Sequence, residues 1–297
     1  MKVSKLWTDL SAGLFQGLDA SALETFRAPG GLNRRLAAWD PAEQSLRYFK
    51  FLLQHVAQGK AEAFFERYRR LGDVTIGRPV SVTVEGCAIN VDHLFAVEEV
   101  MFVEAALAPE RLRTIVEIGA GFGRTAQAFL CLQDQLQSYT ILDLPQVLRL
   151  SQLYLRRVLP PALFAKPRFV NALEPRAEIA ADLVLNIDSF QKMPRETVQQ
   201  YLRAPVGQAR AFYTKNPIGK YEPASVGIEV RDRATLAEGF SLGLCTDVVD
   251  IFDTQALAAA RTKYLAAYSP GPTWRVTADA PMDMFPYLHH ALYERAR

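Results

Sequence analysis

The residues with the clearest chemical potential form one short run, Val116-Glu117-Ile118-Gly119-Ala120-Gly121-Phe122-Gly123-Arg124. Glycine allows left-handed turns and lets the main chain come close to a ligand. An apolar strand before the glycines and a helix start after them is the setting in which such a bend receives a nucleotide-containing molecule. Spacing narrows the ligand: a dinucleotide fingerprint asks for G-x-G-x-x-G, and Arg124 stands where its third glycine belongs. The G-x-G-x-G run therefore points away from a pyrophosphate, with a tight structural turn as the plain alternative.

A second anchor is Thr140-Ile141-Leu142-Asp143-Leu144-Pro145. Asp143 closes the next strand, near the offset of roughly twenty residues at which a carboxylate reaches ribose hydroxyls. A carboxylate only accepts, and a diol offers two donors. The same residue could instead cap the helix that opens at Leu144-Pro145. Asn171 and Ala172 end a third strand, where a polar side chain would meet an adenine amino group or cap a turn. A fourth strand delivers Asn186, Asp188 and Ser189 at its carboxyl end, the edge at which open α/β sheets bind ligands. Asp188 is the first candidate for a general base, and a turn cap is its alternative. Lys215 and Asn216, at the end of a fifth strand, and His93, in the first turn of a helix, are candidates for contacting an acceptor. His289 and His290 precede the last apolar stretch. On an antiparallel final strand their position is expected to lie away from the reactive edge.

The elements that would position these groups follow from periodicity. Asp40-Pro41 with Glu43 forms a capping pattern ahead of a helix running through Leu46, Phe49, Leu53 and Val56 to Gly59. Helices are expected over 61–71 and 92–108, with a hairpin between them at Gly77-Arg78-Pro79 or Glu85-Gly86. From Leu112 onward the pattern is strand, turn and helix in alternation, the mark of a parallel sheet with crossover helices. Strands are expected at 114–118, 139–142, 168–171, 183–187 and 209–214, with helices at 124–136, 145–158, 197–203 and 233–242. Residues 245–252 read as strand-like and 290–293 as a final apolar segment. A boundary near Pro109 would divide a helical region, 1–109, from an α/β domain, 110–297.

Glu117 to Gly123, Asp143-Leu144-Pro145, Asp188-Ser189-Phe190-Gln191 with Met193-Pro194, and Phe212-Tyr213-Thr214-Lys215-Asn216-Pro217 together resemble a family of sugar O-methyltransferases, class I enzymes that use S-adenosylmethionine. The resemblance covers about Arg111 to Tyr221. It implies a Rossmann-like sheet, mostly parallel with the last strand antiparallel, preceded by a helical region that adds to the acceptor pocket and to a dimer contact. S-adenosylmethionine would be held by Glu117, Gly119, Gly121, Phe122, Gly123, Asp143, Leu144, Asn171, Ala172 and Asn186. The acceptor would meet Asp188 as base with Ser189, Lys215, Asn216 and His93. Its expected class is a hydroxyl of a sugar or glycosylated metabolite. A phenolic, polyketide or peptide natural product comes second, and a non-catalytic scaffold third. Lys192 stands where that family often has Glu. No metal is expected, since Asp188 and Asn216 would need a distant carboxylate, Asp247 or Glu229, to complete a ligand set.

Composition sets outer limits. The 297 residues carry 34 Lys and Arg against 32 Asp and Glu, and a net charge of +2 gives no general attraction to nucleic acid or an anionic membrane. The basic pairs Arg34-Arg35, Arg69-Arg70 and Arg156-Arg157 read as solvated helix faces. No apolar run approaches the ~18 residues of a spanning helix, and polar residues interrupt the start of the chain where a signal core would lie. Cys87, Cys131 and Cys245 are far apart without a CxxC, so all three are expected as buried free thiols, consistent with a cytoplasmic location.

Overall fold

Short apolar runs alternating with helix-length stretches give the chain an α/β fold, seen here in a computed structural model that describes residues 46–174, 181–230 and 232–296, with Ser4, Lys5, Thr8, Ser21 and Glu24. The capping pattern expected at Asp40 to Glu43 and the pair Arg34-Arg35 lie outside the described residues. The described residues fall into two compact units that part between Ala172 and Leu173, and not near Pro109.

The earlier unit opens with helices α1 (Leu46–Gln58) and α2 (Glu62–Arg70), then a hairpin of β1 (Ser81–Val84) and β2 (Cys87–Asn90) turned at Glu85 and Gly86, whose φ angles are 47° and 71°. Gly77-Arg78-Pro79 is not the hairpin turn. Helix α3 (Val91–Ala106) starts where the Asn90 side chain accepts the His93 N–H, and it is buried over most of its length because it is apolar nearly all round. Three parallel strands follow, β3 (Thr114–Ile118), β4 (Ser138–Asp143) and β5 (Pro167–Asn171), in the order β5-β4-β3. Helices α4 (Arg124–Leu132) and α5 (Pro145–Val158) connect them. The strand and α5 bounds match the sequence pattern within two residues, whereas α4 ends four residues before Leu136.

The later unit orders its strands β6-β7-β9-β8, from β6 (Leu183–Ile187), β7 (Ala211–Pro217), β8 (Trp274–Pro281) and β9 (Leu288–Arg295). β6 and β7 are parallel, while β9 runs antiparallel to both of its neighbours. Helix α6 (Arg195–Tyr201) passes into a π-helical turn at Leu202–Val206 around Pro205. Helices α7 (Arg233–Ser241) and α8 (Thr254–Tyr268) complete it.

Three expectations for this unit are corrected. Residues 245–252 form no strand beyond a single bridge between Lys220 and Val248, because Asp250 turns the chain by accepting the Phe252 N–H and Asp253 then caps α8. The strand missed by periodicity is β8, an edge strand with no buried residue and so no apolar alternation to read. β7 extends to Pro217, so Lys215 and Asn216 lie within the strand.

One buried ion pair fastens α3 to the helix that follows the glycines. The Arg124 guanidinium donates to both Glu99 oxygens at 2.8 and 2.9 Å and to the Asp92 carbonyl, and the Thr125 hydroxyl also donates to Glu99. Glu99 is 0% exposed, so neither charge has water to fall back on. Losing one partner of such a pair costs about 3–5 kcal/mol, whereas an apolar replacement of both costs far less. Glu99→Ala is therefore expected to lower the urea midpoint sharply, with the double variant Glu99→Leu and Arg124→Met recovering most of the loss.

Candidate active site

The loop after β3 bends through three left-handed glycines, Gly119, Gly121 and Gly123, with φ of 75°, 61° and 97°. Side chains rarely adopt these angles, and a Cβ on Gly123 would meet the Leu155 side chain at 3.2 Å. Asp143 closes β4 beside this loop. Its Oδ2 accepts the Gly121 N–H at 3.1 Å, its Oδ1 accepts the Leu144 N–H at 2.8 Å, and the Ala120 N–H also favours its charge. Burial pushes the carboxyl up to about 7 against the pull of those three donors. Register places Asp143 opposite Asn171 on β5, so the carboxyl edge of this unit gathers Gly119, Gly121, Asp143 and Asn171 as partly exposed groups. Leu144 caps α5 with no side-chain bond, and Ala172 is fixed by donating its N–H to the Asp143 carbonyl.

Other candidates on the earlier unit are core residues. Phe122 is buried edge-on against Tyr154 at 4.8 Å, so its side chain faces the interior. His93 is fully buried. Its Nδ1 lies 3.0 Å from Asn90 Oδ1, and its Nε2 lies 2.9 Å from Gln127 Oε1 and 3.1 Å from the Tyr154 hydroxyl. Both ring nitrogens are occupied, which corrects the expectation that His93 meets an acceptor. Glu117 is likewise corrected: it points into the sheet interior, where the Tyr139 hydroxyl donates to it at 2.7 Å.

On the later unit the polar edge of β6 and β7 is braced internally. Asn216 donates through Nδ2 to Asn186 Oδ1 at 2.8 Å and to the Thr214 hydroxyl at 2.7 Å, and its Oδ1 receives the Gln191 N–H. Asn186 in turn donates to the Ser189 hydroxyl and accepts the Phe190 N–H. Asn186, Asn216 and Lys215 are at most 1% exposed, so the expectation that they face cofactor or acceptor gives way to a role in holding the edge. Phe190 anchors the following segment by stacking on Tyr268.

Asp188 differs from these. Its side chain is 30% exposed, and its backbone is left-handed at φ 54°, a conformation that Asp tolerates better than most residues. Its N–H donates to the Lys215 carbonyl at 2.8 Å, Gln191 donates to one carboxylate oxygen, and Lys192 lies 3.2 Å from the other.

The histidines of β9 also require a correction. β9 pairs antiparallel with β7, so its first residue, Leu288, lies opposite Pro217, the last residue of β7. His289 and His290 therefore stand at the carboxyl edge of β7, opposite Asn216 and Lys215. Both are already engaged. His289 Nε2 lies 2.8 Å from Asp279, which Arg261 grips with two bonds, and His290 Nδ1 lies 2.7 Å from the Tyr213 hydroxyl. Cys87 is buried, whereas Cys131 and Cys245 are partly exposed, contrary to expectation, and all three are free. Among the described residues no three His, Cys, Asp or Glu converge as metal ligands, and no helix is long and apolar enough to cross a membrane.

No family model matches the chain, and no curated protein matches it. Solved structures do. The methyltransferase domain of bacterial CtHen1 is 11% identical with a TM-score of 0.47, covering 69% of this chain and 100% of that one. The mitomycin 7-O-methyltransferase MmcR is 17% identical with a TM-score of 0.44, over 96% of this chain and 75% of that one. The glycopeptide N-methyltransferase MtfA, complexed with S-adenosylmethionine, is 12% identical with a TM-score of 0.44, over 68% and 87%. At these values, what the chain does must be read from its own residues.

Glu117 offers a test of the interior behind the loop. Burial raises its carboxyl to about 7, more than the Tyr139 hydroxyl and Arg124 pull it down. A carboxyl raised on folding stabilises most below its unfolded value, and that contribution is lost as pH rises through the folded value. Glu117→Gln keeps the shape without the charge. Relative to the parent, it is expected to gain up to about 3 kcal/mol between pH 5 and pH 8.5, read from urea unfolding at both.

Proposed function

We propose that the chain is an S-adenosylmethionine-dependent O-methyltransferase. The observation that carries this reading is the trio of left-handed glycines with the Asp143 carboxylate at the carboxyl end of the next strand. An ionised carboxylate has about four acceptor sites. Two of those on Asp143 hold the N–H groups of Gly121 and Leu144, which leaves acceptor sites for ribose hydroxyls without disturbing the loop. Asn171, its partner across the strands, is partly exposed at the same edge, and a carboxamide carries the donor and acceptor types that a purine edge recognises. The donor, when bound, supplies a sulfonium-activated methyl for in-line transfer to an oxygen. Positioning is then the main task of the protein.

An alcohol must also lose its proton. Asp188 suits that role as the partly exposed acid just after β6, fixed by its own backbone N–H and by Gln191 and Lys192. The acceptor expected from the family resemblance is a sugar hydroxyl. A phenolic natural product is the second reading, and the partly exposed rings of Tyr221 and Tyr287 favour it.

Titration calorimetry with S-adenosylhomocysteine tests the reading directly. Saturable binding is expected, about tenfold weaker in Asp143→Asn. In the parent the affinity should fall between pH 8 and pH 6, because a carboxyl near 7 takes up a proton there and loses acceptor sites; the Asn variant should show no such fall. No heat at millimolar ligand would leave a scaffold rather than an enzyme. Asp188→Asn is expected to slow methylation of an aliphatic hydroxyl by about 100-fold or more, and that of a more acidic phenol much less, by mass-spectrometric assay of the methylated product.

A further inference from the structure

We propose that Lys220, Tyr221 and Tyr287, the last backed by the buried Phe285, form, beside Asp188, the subsite that selects the acceptor, and that it selects a flat hydroxylated ring bearing a carboxylate. This rests on the methyltransferase reading and goes beyond it by naming the substrate class.

Backbone fixes where Lys220 stands. Its N–H donates to the Asp247 carbonyl at 2.8 Å, and its own carbonyl receives the Val249 N–H at 2.7 Å. Gly219 just before it allows this approach, since a Cβ there would lie 2.6 Å from a Val249 methyl and 2.8 Å from the Asp247 oxygen. Lys220 is thus held at the exit of β7 with its side chain turned to the Asp188 segment, where Nζ reaches the Gln191 carbonyl at a long 3.4 Å. Gln191 is also the residue whose amide holds Asp188.

The ammonium is poorly matched to these surroundings. Among the described residues it forms no ion pair, although nearby cations do: Lys192 pairs with Asp188 and Lys263 with Asp247. Desolvation lowers the pKa of Lys220, and the Asp188 carboxylate offsets only part of this. A half-buried cation whose one hydrogen bond is a stretched contact to a carbonyl is suited to an anion with better geometry.

The flanking groups define the rest of the ligand. Tyr221 and Tyr287 meet edge to face at 5.8 Å, and Phe285 lies 6.2 Å from Tyr287. Geometry brings both to the exit of β7: Tyr221 follows Lys220 directly, and the Tyr287 carbonyl accepts the Ile218 N–H at 2.8 Å. Burial raises the pKa of both tyrosine hydroxyls and the Asp188 charge adds to it, and neither hydroxyl has a hydrogen bond among the described residues. An aromatic wall, a cation and a carboxylate base in one place match a phenolic acid: ring against rings, carboxylate to Lys220, hydroxyl to Asp188. A sugar would satisfy the hydroxyls and leave the cation unmatched.

Calorimetry on the full chain, with and without S-adenosylhomocysteine, would compare 4-hydroxybenzoate, its methyl ester and methyl β-glucoside. The acid is expected to bind about tenfold more tightly than the ester, with the glucoside weakest. Lys220→Met should bring the acid down to the ester and leave the ester unchanged, Lys220→Arg should keep the preference, and Tyr287→Leu should weaken acid and ester together. Equal binding of acid and ester, a preference that survives Lys220→Met, a preference for the glucoside, or no binding of any of the three would overturn the proposal. Failure to bind S-adenosylhomocysteine would instead sink the methyltransferase reading, so the two failures are separable.

Discussion

The structure around the glycine bend depends on a buried charge pair that a dinucleotide fold would have no place for. Arg124 occupies the third-glycine position and sends its guanidinium away from the loop into Glu99 of α3. A glycine there would leave a fully buried Glu99 carboxylate without its cation. The same contact makes the helical segment before Pro109 part of the compact unit that carries the loop, rather than an appended region. Charge burial of this kind adds little net stability over an apolar pair, but it tolerates no change in register between α3 and α4.

Where main-chain geometry and apolar rhythm set the structure, the sequence was a good guide. β3, β6 and α5 begin and end at the residues their patterns indicate, because a buried parallel strand reads as a short, mostly apolar run and Pro145 can only open its helix. The left-handed glycines were legible for the same reason. Edge strand β8 was not, since none of its residues is buried. Alanine-rich α8 was missed too, because it buries only Leu257, Tyr264 and Tyr268 and shows weak contrast between its faces.

Side-chain roles were harder to read, and the reason is physical. A polar residue at a strand end can turn to ligand or to its own neighbours, and sequence does not say which. Asn186 and Asn216 turned to each other, and His93 to Asn90, Gln127 and Tyr154, since a buried polar atom without a partner costs more than the bond it makes gains. A signal for His93 was present in Asn90, three residues earlier, as a helix cap, and in the single polar face it shares with Gln127 only after folding. The misplacement of His289 and His290 was an error of direction: an antiparallel strand begins where its parallel neighbours end.

Asp188, the base proposed above, shows how such bracing would serve a reactive group. A left-handed non-glycine residue costs of order 1 kcal/mol and persists only where its surroundings insist on it. Here the Lys215 carbonyl takes its N–H, while Gly243 lies so close to Gln191 that a Cβ would be 2.9 Å from the Gln191 Cα, and its N–H donates to the Met193 carbonyl. The segment from Asp188 to Met193 is therefore pinned at both ends and by Phe190 in the aromatic core between. The buried asparagines give up ligand contact to make that frame rigid. A carboxylate presented from a fixed frame can be aimed at a hydroxyl, which a base on a mobile loop cannot, and in the role proposed for Asp188 the sealed polar edge beneath it would supply that aim.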